Sequence, residues 1–495
     1  MCEKSKETGA QVKIAPRGNR PNRATWLMIF TAGLLAGCAT PPNLGPQKEL
    51  AQDAQFESSR SLAGNTGAAW PADRWWTSYN DAQLNGLIDE ALSGSPSLAG
   101  ALARVQRAQA LAQQAGAALS PTIKAQGGAQ GNYQHLSADG LPAALNELRG
   151  GETSFRTSSE MRLDYQLDFF GRNRASLAAA TSAAEAAETE AAAARLQLST
   201  AVALTYGDLV RQSAERNAAA ETVRLRQASA DLVKQRLQQG LENEGQASQS
   251  DSELSKARAN LAAADGAIAR TRNALAALLG KGPDRGLEIA VPAIPAIAGT
   301  QLPAGVGINL MGRRPDLAAA RQRAEAAASR IKVARADFYP NISLSAVVGL
   351  QGLGIEQLGG GSLFSAQAGP AISLPIFDHG RIEGAYRSAR ADYDEAVANY
   401  DQTLSNAYRE VADAVADRRT LEGQLAETRA ALKAGETAYR LIVLRYGQGL
   451  ASYIDVLTIE NALVGQRQAV ADLEARTFAV DVALVRALGG GFTTI

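Results

Sequence analysis

Cysteine and histidine, the side chains that most readily serve as nucleophile, general base or metal ligand, are nearly absent from this sequence. Its 495 residues hold Cys2, Cys38, His135 and His379 and no others of either type. Two cysteines give no disulfide framework and no cysteine-based metal site. Two distant histidines give no acid–base or redox cluster, so the chain is read as no enzyme, without a catalytic residue, metal or cofactor. Fifty basic residues balance fifty acidic ones, which argues against nucleic acid as a partner.

Cys38 has a chemistry of its own. A basic region with Lys4, Lys6, Lys13, Arg17, Arg20 and Arg23 precedes an apolar stretch, 24–36, that ends in Leu35-Ala36-Gly37-Cys38. The stretch is too short to span a bilayer, which takes roughly 20 apolar residues, and suits the core of an export signal. The tetrad resembles a bacterial lipobox, in which small residues permit cleavage between Gly37 and Cys38 and the thiol takes up lipid. Residues 1–37 are therefore expected to be a lipoprotein signal peptide, and the only non-protein group expected is covalent lipid on Cys38. The plainer alternative is a secretory signal with an incidental cysteine. Each buried acyl methylene contributes about 0.8 kcal/mol, so several chains hold a protein on a membrane. By resemblance to lipoproteins, Ala39 rather than Asp after the cysteine favours the outer membrane. Loss of the signal removes six basic and two acidic residues and leaves the mature chain four charges to the acidic side.

The elements behind this anchor are written twice. Pro96 and Pro121 bound one helical interval of 25 residues, and Pro315 and Pro340 bound another. Gly171-Arg172, Gly240 and Leu279-Gly280 then recur as Gly380-Arg381, Gly449 and Leu488-Gly489, each at an offset of 209. A constant offset of that size is too long for a solenoid repeat and indicates duplication of a whole unit. Each copy reads as helix, two strands, long helix, tip turn and helix. Leu84, Leu87, Ile88, Ala91 and Leu92 follow the helical period. Val397, Leu404 and Val411 recur every seven residues, as do Leu425, Leu432, Tyr439 and Tyr446, the spacing that makes helices supercoil. The tract 172–238 has no proline, and its 67 residues reach on the order of 100 Å as a helix.

Between the helices the period changes to two. Ile123, Ala125, Met161, Leu163 and Tyr165 alternate with Lys124, Arg156, Glu160, Arg162, Asp164 and Asp168. In the second copy Ile342, Leu344, Ala346 and Val348, then Phe364, Ala366, Ile372, Leu374 and Ile376, alternate with Ser343, Ser345, Gln351, Ser365, Gln367 and Ser373. A half-buried sheet gives such a pattern. On a lipid-anchored chain, segments above 9–11 residues also suit tilted membrane strands. Strands in lipid must close into a barrel, and four are too few. Two chains would supply eight strands and three would supply twelve. The charged faces, with Lys124, Arg156, Glu160, Arg162, Asp164 and Asp168, would then line a lumen.

These features resemble the TolC-like outer-membrane factor family, in particular its lipoprotein branch from multidrug efflux systems. The resemblance covers essentially the whole mature chain. Its most specific piece is 310–345, LMGRRPDLAAARQRAEAAASRIKVARADFYPNISLS, and Trp75-Trp76 to Leu92 is similar to the opening of the first copy. It implies an α+β membrane protein, an internally duplicated, long α-helical coiled-coil tunnel with four transmembrane β-strands per protomer and a 12-stranded β-barrel shared in a homotrimer. Its domains would be a signal (1–37), a lipidated linker (38–80), a first repeat (81–280, β-hairpin 122–170), an equatorial linker (281–306), a second repeat (307–490, β-hairpin 341–377) and a tail (491–495). It further implies a periplasmic adaptor and an inner-membrane transporter of the RND type as partners, and location in the bacterial outer membrane, reaching into the periplasm. The implied function is the exit duct of a tripartite efflux pump. The same duct serving type I protein secretion or metal-ion efflux, and a coiled-coil scaffold lipoprotein without a pore, stand as alternatives.

Gly449-Leu450-Ala451-Ser452-Tyr453-Ile454-Asp455 resembles the family's gate motif. Tyr453, Ile454, Asp455 and Thr458 are the gate candidates, and Gly240, Leu241, Glu242, Gly449, Leu450, Ala451 and Ser452 the adaptor-docking candidates. A ring of Asp455 carboxylates would bind cations; equally, Asp455 would stabilise a helix N-terminus. Thr458 stands where the motif often has a second acid. In the first copy Gln246 takes the place of Asp455, and Glu242 and Glu244 either restore the charge or are merely solvated.

Overall fold

A computed structural model of the chain describes residues 41–52, 56–58, 60–62, 67–135, 151–291, 300–353 and 363–493. The expected signal, Cys38, both strand-to-strand connections and the proline-rich segment 292–299 lie outside them.

Each copy contains the expected succession of elements. In the first these are α1 (Ala82–Gly94), α2 (Pro96–Ala117), β1 (Thr122–His135), β2 (Gly151–Leu167), α3 (Arg172–Gln238) and α4 (Glu244–Leu278). A single helical turn, α5 (Asp284–Leu287), follows. The second copy has α6 (Val306–Arg313), α7 (Pro315–Ala336), β3 (Asn341–Leu353), β4 (Leu363–Ser373), α8 (Arg381–Gly447) and α9 (Tyr453–Ala487). The duplicated helices agree to the residue: α3 and α8 each have 67 residues, α4 and α9 each 35. Among the described residues no helix is long and apolar enough to cross a membrane.

The chain forms two units. The first, Pro121–Arg172 with Ala334–Tyr386, holds an antiparallel sheet of order β1-β2-β3-β4. Its register aligns the alternation across all four strands. Ile123 faces Leu163, Leu163 faces Ala346, and Ala346 faces Ala368; one row on, Lys124 faces Arg162, Arg162 faces Val347, and Val347 faces Gln367. One face is therefore apolar and its large side chains are exposed: Ile123, Met161, Val348, Phe364 and Ile372 are each more than two-fifths accessible. Such a contiguous apolar surface is rare on a soluble monomer and marks contact with a membrane or another protein. The alternation predicts a last strand running to Ile376, but β4 stops at Ser373. Pro375 has no N–H for the ladder and restricts Leu374 before it, so pairing ends there.

The second unit, Gly45–Ser120 with Asn173–Val333 and Arg387–Ile495, is helical. Asp81 caps α1 by accepting the backbone N–H groups of Gln83 and Leu84. The face of α1 expected to be apolar is buried: Leu84, Leu87, Ile88 and Ala91 pack with Trp75, Trp76, Tyr79 and the α3 residues Val202, Tyr206 and Leu209. A second cluster gathers Val306, Leu310, Leu317, Tyr400, Leu404, Ala407 and Val411. Burial of Val397, Leu404 and Val411 accounts for their seven-residue spacing.

Arg314 explains the most specific segment of the sequence. It is buried and grips Asp316 through two bonds of 3.0 and 2.6 Å, the Glu410 carboxylate at 2.9 Å and the Ala487 carbonyl at 3.1 Å. A single guanidinium thus joins the start of α7, the middle of α8 and the last turn of α9, whose carbonyls have no partner within the helix.

Candidate gate and barrel lining

Both tip turns use one backbone design. α3 ends with Leu241 N–H on Arg236 O (2.9 Å) and Gly240 N–H on Leu237 O (3.0 Å); α8 ends with Leu450 N–H on Arg445 O (2.8 Å) and Gly449 N–H on Tyr446 O (3.0 Å). This is the Schellman closure, and it places Gly240 at φ 69° and Gly449 at φ 75°, where a side chain would be strained. The next helix starts with a capping box in both copies. Asn243 and Gln246 exchange bonds of 3.0 and 3.2 Å, and Ser452 and Asp455 exchange bonds of 3.3 and 2.9 Å.

Asp455 therefore has a definite structural task. Its Oδ2 accepts from the Ser452 backbone N–H and, at 2.7 Å, from the Ser452 hydroxyl. The backbone bond first, then the hydroxyl, holds its carboxyl below the usual carboxylate range. The side chain is still exposed, on the same helical face as Ile454 and Thr458, whose hydroxyl donates to Ile454 O. Tyr453 departs from the expected gate set. It is 1% exposed and packs with Val456, Val233 and Tyr446 in the core of the tip, so it supports the turn from inside. Helix phase explains the division, because Tyr453, Val456, Glu460 and Leu463 form the buried stripe of α9.

Glu242 is not a solvated loop acid. Its side chain is 7% exposed, forms an ion pair with Arg236 at 3.4 Å and accepts from the Tyr446 hydroxyl at 2.8 Å. Arg236 also donates to Tyr446 O at 3.1 Å and lies over the Tyr446 ring, 4.7 Å from its centroid. Burial, then the bond to Glu242, pushes the Tyr446 phenol up. A first-copy arginine and acid thus hold a second-copy aromatic. Glu244 is exposed in the first turn of α4, where its charge suits the helix dipole. Of the other docking candidates, Leu241 and Leu450 are about three-fifths exposed. Gly240, Gly449 and Ser452 are exposed too, while Ala451 is half-buried.

On the sheet, Lys124, Arg156, Glu160, Arg162 and Asp164 share the polar face, and Arg162 pairs with Asp164 at 3.0 Å. Asp168 does not join them, since β2 ends at Leu167. The corresponding rows of β3 and β4 present Ser343, Ser345, Ser365, Gln367 and Ser373 and carry no charge. Gly349 lies opposite Glu160, where a Cβ would come within 2.9 Å of the Glu160 Cβ. Among the described residues no group of three or more His, Cys, Asp or Glu could hold a metal ion.

Two copies of one helix–hairpin–helix unit, each with a membrane-length hairpin and a capped helical tip, define a duplicated channel protomer. A family model described as "Outer membrane efflux protein" matches residues 87–281 and 309–490, one block on each copy, and the chain belongs to that family. It is 35% identical over 367 residues to the fusaric acid resistance protein FusA of Burkholderia cepacia, a match covering 72% of this chain and 67% of that one. It is 29% identical over 492 residues to the multidrug resistance outer membrane protein MdtP of Escherichia coli, covering 94% and 96%. Among solved structures, the outer membrane protein VceC of Vibrio cholerae superposes with a TM-score of 0.78 at 40% identity, over 86% of this chain and all of that one.

Proposed function

We propose that this chain is one protomer of a homotrimeric exit duct in the outer membrane, the passive outlet of a tripartite efflux pump for small molecules or drugs. The observation that carries the reading is the unclosed four-stranded sheet. One face is apolar and exposed, the other polar, and among the described residues β1 and β4 each leave one edge unpaired. In lipid, unpaired backbone edges are so costly that only a closed barrel is stable. Three chains joined edge to edge supply twelve strands around a wet, charged interior.

In this reading α3, α4, α8 and α9 build the periplasmic tunnel. Ile454, Asp455 and Thr458 face the passage at its end, and the exposed turns around Leu241 and Leu450 meet a periplasmic adaptor. An inner-membrane transporter of the RND type supplies the energy, and no step is catalysed here. Lipid on Cys38 is a supplementary anchor to the barrel. The drug-resistance names of FusA and MdtP support an organic cargo. A scaffold without a pore leaves the apolar sheet face and both edges unexplained.

The test is conductance in planar bilayers with the purified, lipidated protein, alongside its mass in detergent. A trimer that conducts, and conducts more when the tip is loosened by Glu242→Gln, is expected. A trimer giving no channel even after such loosening would sink the duct. For the anchor, Cys38→Ser should abolish lipid labelling and leave the trimer; persistent labelling would exclude Cys38 as the acceptor.

A further inference from the structure

Behind the tip turns lies an ion pair that neither the gate motif nor the capping boxes use. Arg226 of α3 and Glu460 of α9 approach to 3.3 Å with side chains 5% and 0% exposed. Arg226 Nη2 donates to Asn461 Oδ1, and the Ser229 hydroxyl donates to Glu460 Oε2 at 3.3 Å. Tyr439 of α8, Glu253 of α4, and Tyr453 and Arg467 of α9 complete the electrostatic surroundings. The network is incomplete: Arg226 Nη1, Glu460 Oε1 and the Tyr453 hydroxyl have no hydrogen-bond partner among the described residues.

We infer that Arg226 and Glu460 are positioning residues of the gate, a clasp that holds the first-copy tip hairpin, α3 with α4, against the second-copy hairpin, α8 with α9. The inference rests on the duct reading. Glu460 stands five residues beyond Asp455 on the same helix, so the clasp and the exposed Ile454–Asp455–Thr458 face move as one rigid piece. Glu460 is on the stripe that begins at Tyr453, which fixes the inward side of that piece.

Burial gives the clasp its force. Two charges out of water hold together strongly only while they face each other, and losing one partner strands the other in a low-dielectric interior. A stranded charge is relieved by water, and water enters when the two hairpins separate. Because the network is only partly satisfied among the described residues, its unpaired polar atoms are costly to keep buried. The pair also stands outside the duplicated scaffold. At the offset of 209, Arg226 corresponds to Gly435 and Glu460 to Asp251, so neither copy repeats it. What it serves is the contact between the copies.

The same physics separates a clasp from a buried pair that merely supports folding. Replacing both partners by apolar side chains of similar volume removes the need for water, whereas replacing one creates it. The experiment measures bilayer conductance and open probability of the full-length protein carrying Glu460→Gln, Arg226→Met or the double change Arg226→Met/Glu460→Met, with melting temperature recorded for each. Either single change is expected to raise open probability on the order of tenfold, and the double change to bring it back within about twofold of the parent. If the single variants fail to assemble, the double variant decides alone. It must close like the parent, and hydrogen exchange of its α9 first-turn amides must be as slow. A protein that opens with Glu242→Gln but stays as closed as the parent with Glu460→Gln and Arg226→Met overturns the clasp and leaves the duct standing. A double variant that opens as widely as the single ones also overturns it. Absence of conductance in every variant would instead remove the duct, and the clasp with it.

Discussion

At Gly240 and at Gly449 the chain reverses through the same hydrogen bonds, yet the arginines four residues earlier are used differently. Arg445 of the second copy stays exposed and donates to its own turn, at Leu450 O, 3.4 Å away. Arg236 of the first copy is largely buried, pairs with Glu242 of its own copy and crosses to Tyr446 of the second. The glycines and capping boxes set the path of the backbone in both copies, and a few side chains then decide which tip is locked and which presents an open face. Function in a duplicated protein resides in such departures from the repeat, since shared positions can only reproduce shared geometry.

Four perturbations would sharpen or break this contrast. The largest effect belongs to Tyr446, the fully buried aromatic of the tip. Tyr446→Ala should cost about 3–5 kcal/mol of unfolding free energy. Leu237→Ala, at the half-buried first-copy counterpart, should cost roughly 1–2 kcal/mol. Equal losses would mean that the tips are energetically alike. Next, Glu242→Gln should cost about 1–3 kcal/mol, because it weakens bonds to a mostly buried arginine. Asp455→Asn keeps an acceptor for the capping box and should leave the denaturation midpoint close to the parent's while weakening block of the channel by multivalent cations. Unchanged block would leave Asp455 as a helix cap alone.

The third comparison tests what the tips share. Asn243→Ala and Ser452→Ala should each cost about 1 kcal/mol in denaturant titrations, and a large inequality would argue against one common design. The smallest effect is a pH dependence stronger at the second tip than at the first. The folded-state value of Asp455 is depressed, so its contribution to stability is present above the ordinary carboxylate range and is lost as pH falls through the folded value. Gln246 does not titrate. Protection of the first-turn amides of α9, taken relative to the intrinsic exchange rate at each pH, should therefore fall more on acidification than that of the α4 amides, and equal falls would contradict the assignment.

The repeat was legible because glycine and proline punctuate it. Gly171, Gly240 and Gly280 recur as Gly380, Gly449 and Gly489, and all six occupy positive φ. The strands were legible because each hairpin keeps a period of two, and only the Pro375 break shortened β4. At Tyr453 two signals in the sequence conflict. Its motif suggested a gate, whereas the three- and four-residue steps to Val456, Glu460 and Leu463 already placed it on a buried stripe. Arg226 offered no comparable sign, and Glu460, an acid on that same stripe, gave no clue to its partner. They are 234 residues apart in alanine-rich helices with many charges, and no local pattern distinguishes a buried arginine from a solvated one. Arg314 fell between these cases: its segment was recognisable, but the role waits on Glu410 and Ala487, which only the fold brings near.

The absence of a second Arg226–Glu460 pair has a consequence for symmetry. A ring of three duplicated chains contains six copies of the unit, and their shared backbone would by itself impose pseudo-sixfold order at the periplasmic end. With Gly435 and Asp251 where a repeated clasp would need arginine and glutamate, every second junction of such a ring carries this ion pair and those between them do not. In the proposed trimer this difference lowers the pseudo-sixfold order to threefold.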